Sequence, residues 1–210
     1  MTQDEARAAL NVSRETFERV ETFVALLREE NERQNLISRA SADLVWSRHI
    51  LDSAQLVTYA PEGAASWLDI GTGPGLPGIV VALLFDGTTT LVEPRKLRVD
   101  FLNGVVRSLG LEESVRIVGS KVEALEEAKF DVITARAVAP LADLFALSER
   151  FAAPATRWVL PKGKNARVEL EAAESLWQGE FRLEPSRTDP DAWIVIAEKV
   201  RRRQRGRRGR

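Results

Sequence analysis

The stretch Asp69-Ile70-Gly71-Thr72-Gly73-Pro74-Gly75-Leu76-Pro77-Gly78 decides how the rest of this 210-residue chain is read. It follows an apolar run, Trp67–Ile70, and leads into another, Pro77–Phe85. A buried strand, a glycine-rich turn and a helix in that order open an α/β sheet. In such sheets ligands bind beyond the carboxyl ends of the strands, where the strand order reverses. Glycine there lets backbone N–H groups approach a ligand that a side chain would obstruct.

Three ligands compete for the turn. A phosphate loop ends in Lys-Ser or Lys-Thr, and neither is present. A dinucleotide site prefers G-x-G-x-x-G, whereas this segment reads G-T-G-P-G-L-P-G, with Pro74 and Pro77 removing two N–H groups from any pyrophosphate. An S-adenosylmethionine site asks for an acidic strand end and a tight turn, which Asp69 and Gly71, Gly73 and Gly75 supply. Glu93 ends the next strand about twenty residues on, where an acid accepts hydrogen bonds from both ribose hydroxyls. A nicotinamide cofactor uses such an acid too, so Glu93 does not separate the two.

Outward from the turn the alternation continues. Strands are expected at Thr88–Glu93, Ser114–Val118, Phe130–Thr134 and Arg157–Pro161. The intervening helices are Arg95–Leu109 (Leu97, Phe101, Leu102 and Val105 inward), Pro140–Ala152 and Ala166–Trp177, with a short helical passage at Lys121–Ala128. Phe181–Arg187 and Ala192–Lys199 read as a final antiparallel pair. The expected fold is therefore α/β and Rossmann-like: a mostly parallel sheet with an antiparallel C-terminal end and helices on both faces. Upstream, Phe17, Val20, Val24 and Leu27 mark a helix over 14–32 that Ser13 can cap. A second helix is expected over 42–59, carrying Leu44, Val45, Ile50, Leu51, Ala54 and Val57. The chain divides into a helical cap (1–63), the sheet domain (64–200) and a basic, disordered tail (201–210).

Composition narrows the chemistry. The chain has no cysteine and one histidine, so disulfides, thiolate chemistry and any site needing two imidazoles are out, and no metal site is expected. The segment Met1–Leu10 lacks the apolar run of a signal peptide and no run is long enough to span a bilayer, so a cytoplasmic location is expected, without a membrane partner. The tail holds seven arginines, which leaves 23 basic against 31 acidic residues in the first 200. A polyanion must therefore meet local basic patches or the tail.

Arg48-His49-Ile50-Leu51-Asp52-Ser53, followed by the glycine-rich turn, resembles the bacterial ribosomal RNA small-subunit methyltransferase G family, also known as glucose-inhibited division protein B. The likeness continues through Asn35–Ser38, Val122-Glu123, Ile133–Ala137 and Leu160–Gly163, spanning about residues 31–199. It implies a class I methyltransferase that methylates N7 of one guanine in small-subunit ribosomal RNA, on RNA or on an assembling subunit; a monomer is expected. It also implies cofactor contacts at Gly71, Leu76, Val122, Glu123 and Arg136. The sequence departs from the pattern at Ile37, where threonine is common, and at Pro161.

Guanine N7 carries a lone pair and no proton, so attack on a sulfonium methyl needs alignment and exclusion of water, not a general base. Arg136 is the positioning candidate, reaching the cofactor and guanine O6 or a phosphate; the other reading pairs it with Asp131 or Asp143. Lys162, Lys164, Arg95, Arg201, Arg202 and Arg203 are candidates for RNA phosphates, with Lys96 and Arg98 beside Arg95. Arg48, His49 and Asp52 are candidates for the guanine pocket, against a hydrogen-bonded structural histidine. The tryptophans, Trp193 among them, read as core. A methyltransferase with another acceptor and a non-catalytic RNA-binding protein both remain open.

Overall fold

The computed structural model describes residues 2–204. Seven strands form one sheet: β1 (Ser66–Ile70), β2 (Thr88–Val92), β3 (Val115–Val118), β4 (Phe130–Ala135), β5 (Ala152–Lys162), β6 (Trp177–Pro185) and β7 (Trp193–Arg202). Their order is β3-β2-β1-β4-β5-β7-β6. The first five run parallel, and β7 lies antiparallel to both β5 and β6. After β3 the chain returns across the sheet to lay β4 beside β1, which creates the switch point between those two strands.

Alternate residues divide the sheet into two faces. Trp67, Val132, Val159, Ile194 and Ile196 pack on one side with Val81 of α5 (Gly78–Leu84). Leu68, Ile70, Ile133, Leu160 and Val195 pack on the other with α7 (Leu141–Ser148) and α8 (Ala166–Glu174).

Two further helices, α1 (Gln3–Leu10) and α2 (Arg14–Gln34), precede the sheet. Ser13 caps α2 by accepting the N–H of Thr16. Val20, Phe23 and Leu27 of α2 share one apolar cluster with Ile79 of α5 and with Leu102 and Val105 of α6 (Lys96–Ser108). The N-terminal helices are thus continuous with the core of the sheet's α5 face.

Three expectations need correction. The single helix over 42–59 is a broken series: α3 (Arg39–Ala42), a π turn (Trp46–Leu51), α4 (Asp52–Ala54) and a 3₁₀ turn (Gln55–Tyr59). Val45 and Ile50, five residues apart, both reach the core, a spacing that the wider i to i+5 turn accommodates, while Leu44 stays exposed. Leu97, in the first turn of α6, is exposed and not turned inward. The basic stretch also begins as strand: β7 continues through Arg201 and Arg202, and Arg203 N–H donates to the carbonyl of Leu176. The rest of the expected tail, 205–210, lies outside the described residues.

Candidate active site

The turn after β1 is held by its own acid. Asp69 is fully buried; its Oδ2 accepts the N–H of Gly78 at 3.0 Å and its Oδ1 accepts the hydroxyl of Thr134 at 2.9 Å. Thr134 is the register partner of Asp69 on β4 and also accepts the indole N–H of Trp67 at 2.9 Å. Burial pushes the Asp69 carboxyl up to about 6, against the lowering effect of these bonds and of the Arg136 charge. Asp69 is therefore a fastener beneath the turn, whereas the sequence reading made it a cofactor contact. Leu76 is likewise buried in the core, so only its backbone reaches the turn.

Gly71, Gly73 and Gly75 all have positive φ, at 65°, 59° and 92°. A Cβ on Gly75 would stand 2.5 Å from Ile79, and one on Gly71 would stand 2.7 Å from Val138. The first contact closes the turn on its helix; the second brings in the loop after β4. Glu93, also buried, presents Oε2 to the N–H of Gly73 at 3.0 Å and Oε1 to the N–H of Arg95 at 2.9 Å. Arg98 lies 3.6 Å from the same carboxylate. The acid is thus fixed at the rim of the turn with both oxygens toward the carboxyl edge of the sheet.

The ends of β1, β2, β3 and β4 are neighbours, so the sheet brings the glycine-rich turn, Glu93, the Val122–Ala124 3₁₀ turn and Arg136 to one edge. Val122 is buried and Glu123 exposed; their carbonyls accept the guanidinium of Arg150 at 3.1 Å each. Side-chain-free glycines beside a fixed carboxylate, with a short turn across the edge, fit an adenosyl cofactor laid over these strand ends.

Beside this edge lies a cavity of about 500 Å³ between the π turn, the ends of β4 and β5 and the β6–β7 connection. Arg48, Asp52, Arg136, Lys162, Glu169 and Asp189 line it with Trp193 and Val138. No residue of the glycine-rich turn does, so the loop Arg136–Pro140 is a wall with the cavity on one side and Gly71 on the other. Arg136 pairs with Asp52 at 3.4 Å, and not with Asp131 or Asp143. Asp52 also accepts from Gln55 at 3.0 Å and Thr188 at 2.9 Å, and Arg48 pairs with Asp189 at 2.8 Å. These bonds stitch the helical segment to the β6–β7 connection.

Several sequence candidates are placed differently. His49 does not line the cavity, and both its nitrogens are buried without a partner, so neither reading of it holds. Burial, then the charges of Arg136 and Arg48, lowers its pKa to about 4. Lys162 is nearly buried and donates to the Ala139 carbonyl at 2.8 Å and to Glu169 at 2.9 Å, so its ammonium is not free for a phosphate. Arg201, Arg202 and Arg203 are on the wrong edge. Antiparallel β7 starts beside Lys162 and ends nine steps later beside Trp177, roughly 30 Å away. Arg202 pairs there with Glu149 at 3.2 Å, and Arg203 donates to the Trp177 carbonyl at 3.0 Å. Arg95 and Lys164 are exposed on the carboxyl edge. Sequence reasoning missed Thr134, Val138 and Glu169; only the proline closing A-R-A-V-A-P marked a loop there.

Among the described residues no helix is long and apolar enough to cross a membrane. The family model for rRNA small subunit methyltransferase G matches residues 16–184. The chain is 47% identical to ribosomal RNA small subunit methyltransferase G of Rhizorhabdus wittichii, over 100% of this chain and 99% of that one. It is 46% identical to the protein of the same name from Zymomonas mobilis, over 94% of each. Among solved structures, the O-methyltransferase of Bacillus cereus in complex with SAH superposes with a TM-score of 0.58 at 16% identity, covering 85% of this chain and 91% of that one.

Proposed function

This chain belongs to the rRNA small subunit methyltransferase G family, and on that premise we propose that it transfers a methyl group from S-adenosylmethionine to N7 of one guanine in small-subunit ribosomal RNA. The observation that carries the reading is the shared wall: Arg136–Pro140 divides a glycine-rich cofactor edge from a charged cavity. Methyl transfer needs a donor and an acceptor on two sides of one point, in line and away from water.

The cofactor, when bound, supplies a sulfonium methyl that an unprotonated nitrogen can take directly. Gly71, Gly73 and Gly75 hold it by backbone, Glu93 takes the ribose hydroxyls, and Val122 and Glu123 flank the adenine. The guanine enters the cavity unstacked. Arg136, held by Asp52, donates to guanine O6 and so turns the adjacent N7 toward the methyl group. A cavity carboxylate accepts the N1–H and N2–H₂ donors, which adenine lacks in that arrangement. N7 loses no proton in the reaction, so no side chain acts as base. Arg95 and Lys164 meet phosphates at the rim, and the substrate places the enzyme in the cytoplasm.

The test uses the purified protein, labelled S-adenosylmethionine and small ribosomal subunits from cells lacking its gene, followed by chemical cleavage at N7-methylguanine. One cleaved guanine is the expected result. Cofactor binding without RNA label assigns another methyl acceptor; absence of cofactor binding overturns the reading.

A further inference from the structure

The wall between the two sides is held by groups that are not part of it. Ala137 has a φ of 57°, a left-handed conformation that alanine rarely adopts. Next to it Val138 reaches over the turn, 2.7 Å from where a Cβ on Gly71 would stand. Such a loop keeps this shape only if its surroundings over-determine it.

The restraint comes from the end of β5 and from α8. Lys162 Nζ donates to the carbonyl of Ala139 at 2.8 Å and to Glu169 Oε2 at 2.9 Å. The same Glu169 oxygen accepts the N–H of Leu141, the first residue of α7, at 3.2 Å. Both ends of the turn from the wall into α7 are therefore tied to one ion pair. The Lys162 side chain is only 10% exposed, which commits its ammonium to these partners.

We infer that Lys162 and Glu169 are a positioning pair: they hold the Arg136–Pro140 wall against the glycine-rich turn and so set cofactor affinity, although neither touches the cofactor. The inference rests on the methyltransferase reading for its ligand. Without the ammonium, a half-buried carboxylate and the Ala139 carbonyl lose their partner, and the loop gains by swinging toward water. Val138 then leaves Gly71, and Arg136 loses the register that its Asp52 contact requires.

The experiment measures binding of S-adenosylhomocysteine by calorimetry, with the full chain and no RNA. Lys162→Met keeps the aliphatic stem and removes the charge; its Kd is expected to rise about tenfold. Adding Ala137→Gly, which makes a left-handed φ free of steric cost, restores part of that loss. Glu169→Gln, which retains an acceptor for Leu141 and Lys162, raises Kd by about threefold and serves if Lys162→Met does not fold. An unchanged Kd in Lys162→Met overturns the inference; a weaker salt dependence of small-subunit binding, measured separately, would then make Lys162 a phosphate contact. An unchanged Kd in Glu169→Gln overturns it as well. Failure of the wild-type chain to bind overturns instead the methyltransferase reading beneath it.

Discussion

Asp69 Oδ2 accepts the backbone N–H of Gly78 at 3.0 Å, so the acid that opens the glycine-rich motif bonds to the glycine that closes it. The bond ties the end of β1 to the start of α5 and keeps the carboxylate buried beneath the turn. The space between the two is filled: a Cβ on Gly78 would lie 2.3 Å from Leu91, 2.7 Å from Thr72 and 2.8 Å from Asp69.

Gly78→Ala is therefore expected to lose about 1–3 kcal/mol of stability and most cofactor affinity, because helix and strand must separate to admit one methyl group. Urea denaturation and calorimetric titration read the two effects. A variant of wild-type stability and affinity would mean that the turn is looser than these contacts require.

Asp69 should leave a signature in the pH dependence of stability. Its folded-state pKa is raised to about 6 from an unfolded value of 3.8, chiefly by burial, so the folded state holds the proton more tightly. Its contribution is fully present below the unfolded value and is lost as pH rises through about 6. In Asp69→Asn that falling component between about pH 4 and 6 should vanish from the denaturation free energy. An identical profile in both proteins would contradict it.

His49 acts in the opposite sense. Its pKa falls to about 4 from 6.5, because burial and the neighbouring Arg136 and Arg48 disfavour the imidazolium. Its contribution is present above the unfolded value and is lost as pH drops through the folded one. His49→Leu removes two unpartnered buried nitrogens, and should raise stability at neutral pH by about 1 kcal/mol while abolishing that acid-side loss. A destabilised variant would mean that the nitrogens have partners in solution.

Arg136→Ala should reduce methyl transfer by about a hundredfold or more while the fold survives, since the ion pair with Asp52 is partly exposed and contributes little to stability. Thermal denaturation and single-turnover labelling of small subunits separate the two. Asp52→Asn should lower the rate by less, because Gln55 and Thr188 still hold the side chain near Arg136. Full activity in Arg136→Ala would remove it from the site.

Glu93→Gln should weaken cofactor binding by about tenfold, because one oxygen becomes a donor facing the N–H groups of Gly73 or Arg95. Calorimetry with S-adenosylhomocysteine measures it. Equal affinity would show that the ribose is held elsewhere.

Local sequence specifies the sheet, its antiparallel end and the strand-end edge that carries the glycine-rich turn. These follow from local signals: apolar runs of strand length, helical periodicity and the G-T-G-P-G-L-P-G turn, each written in consecutive residues. What the polar side chains do depends on contacts made only in the folded chain. Asp69 looked like a ligand because its partner Thr134 is 65 residues away, and only β1–β4 pairing brings them together. Lys162 looked like a free cation because Ala139, 23 residues earlier, meets it only when β4 and β5 lie side by side. Arg201–Arg203 looked like part of the RNA surface, yet the antiparallel course of β7 carries them to the far edge. A side chain's charge is a local property, but whether that charge is free depends on partners that the chain supplies only after it has folded.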